Sequence, residues 1–281
     1  MANFISPTKA GKRNTRRNRR TAWSVRGDLP RAGMLTVSVL GFLLPFIAWC
    51  ILAAAGVIDP VFLPSPLKVL TRCIDWLTND DLMSDIGISI GRVFGGFIAS
   101  AVLALPIGIL IGTYAPVRAL LGPLTDFSRY LPAVAFIPLI MLWVGIDESA
   151  KLSVIFAGTF FQMVLMLAED VARVPNAPIE AARTMGATNG EVVQYVLIPA
   201  ARPAMLDTLR SCMGIAWTYL VVAELVAANS GLGFSILKAQ RFLQTDKIFA
   251  GILLIGLIGL ATDQGFRWLH RRCFRWHHLR G

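Results

Sequence analysis

The sequence contains few of the residues that build disulfide frameworks and metal centres. Its four cysteines are scattered and form no C-x-x-C pair, and an isolated cysteine in an apolar stretch behaves as a small hydrophobic residue. All three histidines follow the last apolar run, where no acidic residue completes a ligand set. We therefore predict neither a disulfide nor a metal site.

Nucleotide-binding and hydrolytic motifs are also scarce. The phosphate-binding pattern G-x-x-x-x-G-K-[ST] does not occur, since the only Gly-Lys pair, Gly11-Lys12, is followed by Arg13. Neither paired histidines nor an H-E-x-x-H element lies in or beside an apolar stretch. The sequence therefore predicts that the chain is not an enzyme and holds no cofactor of its own.

The chain is rich in apolar residues and in positive charge. Hydrophobic residues make up 55% of it and the mean hydropathy is +0.62, values typical of membrane proteins. The net charge of +10 is concentrated at the two termini, rather than interleaved with aromatic residues as in a nucleic-acid-binding module. We therefore expect a lipid bilayer as the surroundings and no nucleic-acid partner.

Six apolar stretches are long enough to cross a membrane. Crossing a hydrocarbon core of roughly 30 Å takes about 20 helical residues. We therefore predict an all-α integral membrane protein with six transmembrane helices. Their predicted limits are 34–56, 86–112, 118–146, 150–170, 207–228 and 247–267. Prolines inside them predict kinks, at Pro45, Pro106, Pro132 and Pro138. Glycines of the second stretch predict close helix packing, at Gly91, Gly95 and Gly96.

The lysine and arginine residues predict the orientation. With both ends of the chain on one side, eighteen of them lie on that side and six on the other, which makes the positive side cytoplasmic. The predicted domains are a basic cytoplasmic arm (1–33), a membrane domain (34–267) with a cytoplasmic loop (174–203), and a basic cytoplasmic tail (268–281). The arm from Lys9 to Arg20 holds seven basic and no acidic residues, so we expect it to contact anionic lipid.

The first apolar stretch has an alternative interpretation as a cleaved signal peptide. Ala53-Ala54-Ala55 resembles a cleavage site and Arg16-Arg17 resembles a twin-arginine signal. However, the apolar run from Met34 is longer than a signal core, and Arg16-Arg17 is not followed by apolar residues. We favour a retained membrane anchor.

The polar segment between the fourth and fifth stretches predicts two short helices. Asn176 and Pro178 suit the start of the first, and Glu180 in its first turn favours the positive helix end. Gly186 then ends it. Thr188 with Glu191 forms a capping-box pattern for the second helix, which Pro199 is expected to end. One face of that helix is apolar, with Val192, Val193, Val196 and Leu197.

This loop resembles the signature of the binding-protein-dependent ABC permease family, E-A-A-x-x-x-G, nine residues, then I-x-L-P. Val196 and Ile198 are conservative departures from it. The matching residues are Glu180, Ala181, Ala182, Gly186 and Pro199. The likeness extends from about residue 40 and is strongest to the nitrate, sulfonate, taurine and bicarbonate uptake branch, of which Leu63-Pro64-Ser65-Pro66 is typical.

The resemblance implies a type I ABC importer permease fold in a bacterial inner membrane. It further implies a second copy of this chain, separate ABC ATPase subunits that bind ATP and Mg, and an external (periplasmic) substrate-binding protein. The matching residues would couple the chain to the ATPase, with Gly186 supplying the turn. The implied cargo is a small anion such as nitrate, a sulfonate or taurine, or bicarbonate. The alternative for the loop is an ordinary amphipathic helix on the membrane surface.

Ionisable residues inside the apolar stretches indicate where a pathway lies. A charge near the bilayer centre costs at least about 2.5–3.5 kcal/mol unless it meets a partner or water. We expect Arg92 and Asp263, near the ends of their stretches, to reach an interface. Arg129 follows Asp126 by three residues, which favours a local ion pair over an anion contact.

Glu224 is the deepest of these ionisable residues. A lone carboxylate would repel an anion, so we expect it to form a structural or gating hydrogen bond. Gln162 could supply an amide to the pathway. The candidate pathway or gate residues are therefore Arg129, Gln162 and Glu224. The segment 231–234 predicts either a short external re-entrant or amphipathic segment or a plain turn.

The main rival from another class is a secondary active transporter that works without an ATPase. That class calls for inverted repeats with interrupted helices, and the sequence contains no convincing internal repeat.

Overall fold

The computed structural model describes residues 31–274, so the basic segment from Lys9 to Arg20, His277 and His278 lie outside the described residues. Every regular element in that range is helical. The α-helices are α1 (Arg31–Ala54), α2 (Pro66–Asn79), α3 (Leu82–Thr113), α4 (Ala115–Ser128), α5 (Ile137–Val144), α6 (Glu148–Ala172), α7 (Asn176–Thr184), α8 (Asn189–Glu191), α9 (Ile198–Ala227), α10 (Leu232–Arg241) and α11 (Thr245–Cys273). A 3-10 helix (Ala133–Phe136) precedes α5, and a π-helical segment (Val192–Leu197) joins α8 to α9.

The chain forms two compact units, Met1–Val57 and Ile58–Gly281. Within the first unit, α1 contains Pro45, and the rings of Phe46 and Trp49 meet edge to face with centroids 6.1 Å apart. The second unit contains all the other helices.

The described residues contain five helices that are long and apolar enough to cross a membrane. These are Gly33–Ala54, Leu82–Thr113, Glu148–Ala172, Asn189–Val226 and Thr245–Cys273. The bent pair formed by Ala115–Ser128 and Ala133–Val144 makes a sixth if it is one crossing. The predicted all-α membrane fold is confirmed, with the third of the six stretches divided.

The division of the third stretch is a correction. We predicted a kinked helix over 118–146, but α4 ends at Ser128 and the chain bends by 88° before Ala133–Val144. Pro132 accounts for the break, because proline disfavours a helical conformation in the residue before it and has no N–H for the helical ladder. Pro138 lies in the first turn of α5, where a missing N–H is tolerated.

Helices α3 and α6 pack closely through glycines. A Cβ placed on Gly96 would lie 2.7 Å from the Ile155 Cβ, and one on Gly108 would lie 2.7 Å from the Leu167 Cβ. Side chains at these positions would therefore push the helices apart, as the small-residue pattern predicted for Gly96. The same prediction was wrong for Gly91, because a Cβ there meets open space.

Helix α9 packs on α6 and completes the core. Met213, Trp217 and Leu220 of α9 are buried. Trp217 also ties α9 to α11, since its Nε1 donates to the Thr262 hydroxyl over 3.2 Å. A smaller cluster joins α2, α3 and α10 through Trp76, Leu82 and Leu232.

The loop between α6 and α9 follows the sequence prediction in its first half. Helix α7 ends at Thr184, and Gly186 has a φ of +89°, a conformation that favours glycine. Thr188 and Glu191 form the predicted capping box.

Pro199 does not end the second helix, contrary to the prediction. Helical residues run without a break from Asn189 to Ala227. Since proline has no N–H to donate, the ladder before it changes to π-helical spacing over Val192–Leu197, and the helix continues. The loop is therefore joined directly to a membrane-spanning helix.

Candidate functional site

The loop between α6 and α9 exposes one face of α7. Glu180 and Ala181 are exposed, Ala182 is half-buried, and Met185 is 85% exposed. Ile179 on the other face packs against the apolar core. The loop residues singled out in the sequence are therefore largely accessible, while the helix that carries them is anchored.

The second arm of the loop is fixed by its cap and by buried apolar residues. The Glu191 carboxylate accepts hydrogen bonds from the Thr188 backbone N–H and hydroxyl, each 2.7 Å long. Val192 and Leu197 are buried, and they line a cavity of about 380 Å³ between this arm, α7 and the end of α3.

At the far end of α9, a cluster of charged side chains lies between helices, and two of its members, Arg92 and Glu224, are buried. This Glu224 cluster comprises Ser89 and Arg92 of α3, Glu148 of α6, Glu224 of α9 and Gly233 of α10. Arg92 is 3% exposed and Glu224 is 0% exposed. Arg92 Nη1 donates to Glu224 Oε1 over 2.8 Å, while Nε and Nη2 donate to the two Glu148 oxygens over 2.7 and 2.6 Å.

The expectation that Arg92 reaches an interface was therefore wrong. Two carboxylates from different helices satisfy its guanidinium, and such paired hydrogen bonds are what allow an arginine to be buried. Asp263 was also expected at an interface. In the structure Asp263 pairs with Arg210 of α9 and with Arg267 of its own helix, the latter over 2.8 Å, and the expectation about the interface stays a prediction.

Glu224 also holds the start of α10. The Ser89 hydroxyl donates to Oε1 over 2.8 Å, and the Gly233 N–H donates to Oε2 over 2.6 Å. A Cβ on Gly233 would lie 2.9 Å from the Glu224 Cβ, and Gly231 has a φ of +106°. A carboxylate at a helix N-terminus is favourable. Residues 232–234 form the first turn of α10, so the interpretation of this segment as a plain turn was wrong.

The expectation that the chain is not an enzyme overlooked one hydrolase motif. Residues 87–91 spell G-x-S-x-G, the pattern of serine-hydrolase nucleophiles, with Ser89 at its centre. Ser89 lies inside α3 rather than on a strand-to-helix turn, and its hydroxyl is bonded to Glu224. His270 is the one histidine in the described range and lies in the last turn of α11, at the opposite end of the bundle. This geometry provides no nucleophile and base pair.

Arg129 and Gln162 both line a second feature, a cavity of about 450 Å³. It lies where the break between α4 and α5 faces α6 and α9. We call it the aromatic cavity after its ring-bearing residues, which are Phe136, Trp143, Phe161 and Tyr219. Glu224 lies outside it. The structure thus brings together two of the three predicted pathway residues.

The predicted ion pair between Asp126 and Arg129 is not formed in the described part of the chain. The Arg129 guanidinium instead donates to the Tyr130 hydroxyl over 3.0 Å and lies 4.9 Å from the centre of that ring. Because α4 ends at Ser128, Arg129 is its cap residue. Its side chain turns to the next residue rather than back along the helix.

No group of three or more His, Cys, Asp or Glu side chains within residues 31–274 is arranged to hold a metal ion.

Comparison with known proteins shows that the sequence matches a known family. Residues 104–275 match the family described as the binding-protein-dependent transport system inner membrane component. The chain is 34% identical over 265 residues to the taurine transport system permease protein of Escherichia coli, covering 92% of this chain and 95% of that protein.

Two further relatives cover a similar extent. An aliphatic sulfonates transport permease protein of Bacillus subtilis is 35% identical, over 84% of this chain and 87% of its own length. The bicarbonate transport system permease protein of Synechococcus elongatus is 29% identical, over 88% of this chain and 89% of its own length.

Among solved structures, the chain resembles one from the MetNI methionine ABC transporter in an inward-facing conformation. The TM-score is 0.57 at 22% identity, covering 66% of this chain and 94% of that chain. This likeness establishes the fold.

Proposed function

Because this chain belongs to the family of binding-protein-dependent transport system inner membrane components, we propose that two copies of it form the translocation pathway of an ATP-driven importer. Separate ABC ATPase subunits would bind ATP and Mg, and an external substrate-binding protein would deliver the cargo. The proposal places both termini in the cytoplasm, which the excess of basic residues on that side supports. The chain itself would catalyse no reaction.

For the cargo we propose a small anion. The names of the three relatives refer to taurine, aliphatic sulfonates and bicarbonate, each of which carries an anionic group, and nitrate has the same character. Arg129 and Gln162 would offer a cation and an amide to such an anion at the aromatic cavity. The Glu224 charge would not repel it, since Arg92 and two further donors surround that carboxylate.

The observation that carries the coupling proposal is the unbroken helix from Asn189 to Ala227. Glu180, Ala181 and Gly186 would seat the loop in an ATPase subunit, and Ala182 and Pro199 would keep it close to the bundle. The 33 residue steps from Glu191 to Glu224 span roughly 50 Å at the rise of an α-helix. A push on the loop would therefore move the Glu224 cluster at the far end of the same rigid element.

We propose the following cycle. ATP closes the ATPase pair and draws the two loops together, and the resulting rigid-body motion opens the pathway to the external side. Hydrolysis restores the inward-facing state. The Glu224 cluster would act as the gate, because it ties α3, α6, α9 and α10 together at that end. When the gate opens, the ion pair between Arg92 and Glu148 would break, because the Glu148 side chain is 59% exposed.

The proposal is tested by reconstituting this chain with its ATPase and binding protein in proteoliposomes. We expect ATP hydrolysis that rises with a candidate anion and its binding protein, and loss of that stimulation in Gly186→Trp, where a bulky side chain meets a left-handed backbone. Transport by this chain alone, with no assembled complex, would establish a secondary transporter instead.

A further inference from the structure

The aromatic cavity exists because the third predicted span is broken. The 88° bend between α4 and the segment Ala133–Val144 leaves a hollow of about 450 Å³ against α6 and α9. That volume lies in the range of sites for organic ligands, roughly 300–1,000 Å³. A compact ion such as bicarbonate or nitrate would leave most of it empty.

The polar groups at this cavity favour an anion. Arg129 contributes a guanidinium whose hydrogen bond is to the neutral Tyr130 hydroxyl, and Gln162 contributes an amide. None of the described residues lining the cavity is acidic. By contrast, the cavity of about 540 Å³ at the opposite end of α3 from the loop includes Asp80, Asp81 and Asp85 among its lining residues.

The rest of the lining favours an apolar body. Phe136, Phe161 and Tyr219 present rings from three different elements. The Tyr219 ring lies directly on α6, because a Cβ on Gly158 would fall 2.6 Å from its Cδ1. The free energy of binding a hydrocarbon to aromatic side chains grows with the apolar area that is buried, by about 0.8 kcal/mol for each buried methylene group.

We infer that the aromatic cavity is a binding station for an organic anion, in which Arg129 and Gln162 receive a sulfonate or carboxylate head and the rings receive a hydrocarbon body. The inference rests on the proposed function and narrows its cargo. It also gives this chain a selectivity of its own, in addition to that of the binding protein. A compact inorganic anion reaches the head position but gains nothing from the rings.

The test measures direct binding to the complex of this chain with its ATPase, in nanodiscs without binding protein. The probes are methanesulfonate, butanesulfonate, hexanesulfonate and sodium bicarbonate. The readout is the part of the tryptophan fluorescence that disappears in Trp143→Phe, since Trp143 lines the cavity. Partition of the longer probes into lipid is measured in nanodiscs without the complex and is subtracted.

We expect affinity to rise about three- to four-fold with each added methylene group. Arg129→Gln should weaken every sulfonate by roughly ten- to hundred-fold, the effect of losing a hydrogen bond to a charged group. Phe161→Ala should reduce the gain per methylene and leave methanesulfonate binding unchanged. Arg173→Gln is the matched control, because Arg173 pairs with Glu169 at the loop end of α6 and is not one of the described residues that line the cavity.

Three results would overturn the inference: bicarbonate binding as tightly as hexanesulfonate, sulfonate affinities unchanged in Arg129→Gln, or loss of sulfonate binding when phosphatidylglycerol replaces phosphatidylcholine. The last result would identify the cavity as a site for anionic lipid. Failure of the proposed function is distinguishable, because the same complex in proteoliposomes reports ATPase coupling independently. Coupling without chain-length dependence rejects only the present inference.

Discussion

Arg92 Nη1 lies 2.8 Å from Glu224 Oε1, and this ion pair joins two helices through side chains that are 3% and 0% exposed. A buried charge is tolerated only when its hydrogen-bonding capacity is satisfied. The cluster meets this condition with Glu148 on the arginine and with Ser89 and Gly233 on the glutamate. The end of the bundle distant from the loop is therefore held by polar contacts rather than by apolar packing alone.

Breaking this pair should destabilise the fold. Arg92→Met leaves the Glu224 carboxylate buried without its cation, and we expect the free energy of unfolding to fall by about 3–5 kcal/mol. Denaturant unfolding in mixed micelles measures it. The free energy of unfolding should fall less in the double variant Arg92→Met/Glu224→Leu than in Arg92→Met, because the double variant leaves no buried unpaired charge.

The matched control for this prediction is Arg173→Met. Arg173 and Glu169 form an ion pair of the same length, 2.8 Å, but their side chains are 73% and 60% exposed. An exposed pair contributes about 0–1 kcal/mol. Equal losses in Arg92→Met and Arg173→Met would show that burial of the Glu224 cluster does not matter for stability.

Close packing of α3 on α6 gives a second prediction. Gly108→Ala places a Cβ 2.7 Å from the Leu167 Cβ, and overpacking of this kind costs about 1–3 kcal/mol. Gly91→Ala on the same helix meets open space and should be neutral or slightly stabilising, since alanine is the better helix former. The free energy of unfolding of both variants tests this prediction. A larger decrease of that free energy in Gly91→Ala than in Gly108→Ala would contradict the close packing of α3 on α6.

The sequence predicted the features that depend on local chemistry. Apolar stretches indicated the membrane helices, and the Thr188 and Glu191 pair and the stop at Gly186 follow from short-range hydrogen bonds and backbone sterics. The sequence did not predict the partners of Arg92. Those partners lie 56 and 132 positions away, and a separation of that size leaves no periodic signal in one sequence.

The proline errors have a different cause. Pro132 broke a helix and Pro199 did not, although both lie between apolar residues. A proline removes one hydrogen bond in either case. The outcome depends on whether neighbouring turns can compensate, as the π-helical segment does before Pro199. That compensation is a property of the packed helix and not of the local sequence.

A third prediction concerns the turn after α7. Gly186→Ala retains open space around the new Cβ but imposes the left-handed conformation on alanine, which costs roughly 1–2 kcal/mol. We expect faster amide exchange over residues 184–191. Gly190→Ala is the control, because its Cβ also meets open space and its φ is not positive. Similar exchange in the two variants would mean that the Gly186 backbone does not hold the turn.

The last prediction separates coupling from folding. Ala181 lies on the exposed face of α7, so Ala181→Trp should leave unfolding unchanged within about 0.5 kcal/mol, as surface substitutions usually do. If α7 seats in an ATPase subunit, the added indole prevents the close approach of the two surfaces, and substrate-stimulated ATP hydrolysis should fall at least ten-fold in proteoliposomes. Ala115→Trp adds the same side chain at an exposed position near the same end of the bundle, and it should retain the stimulation. Full stimulation in Ala181→Trp would place the ATPase contact elsewhere on this chain, whereas equal loss in both variants would mean that the whole end of the bundle, and not α7, receives the ATPase.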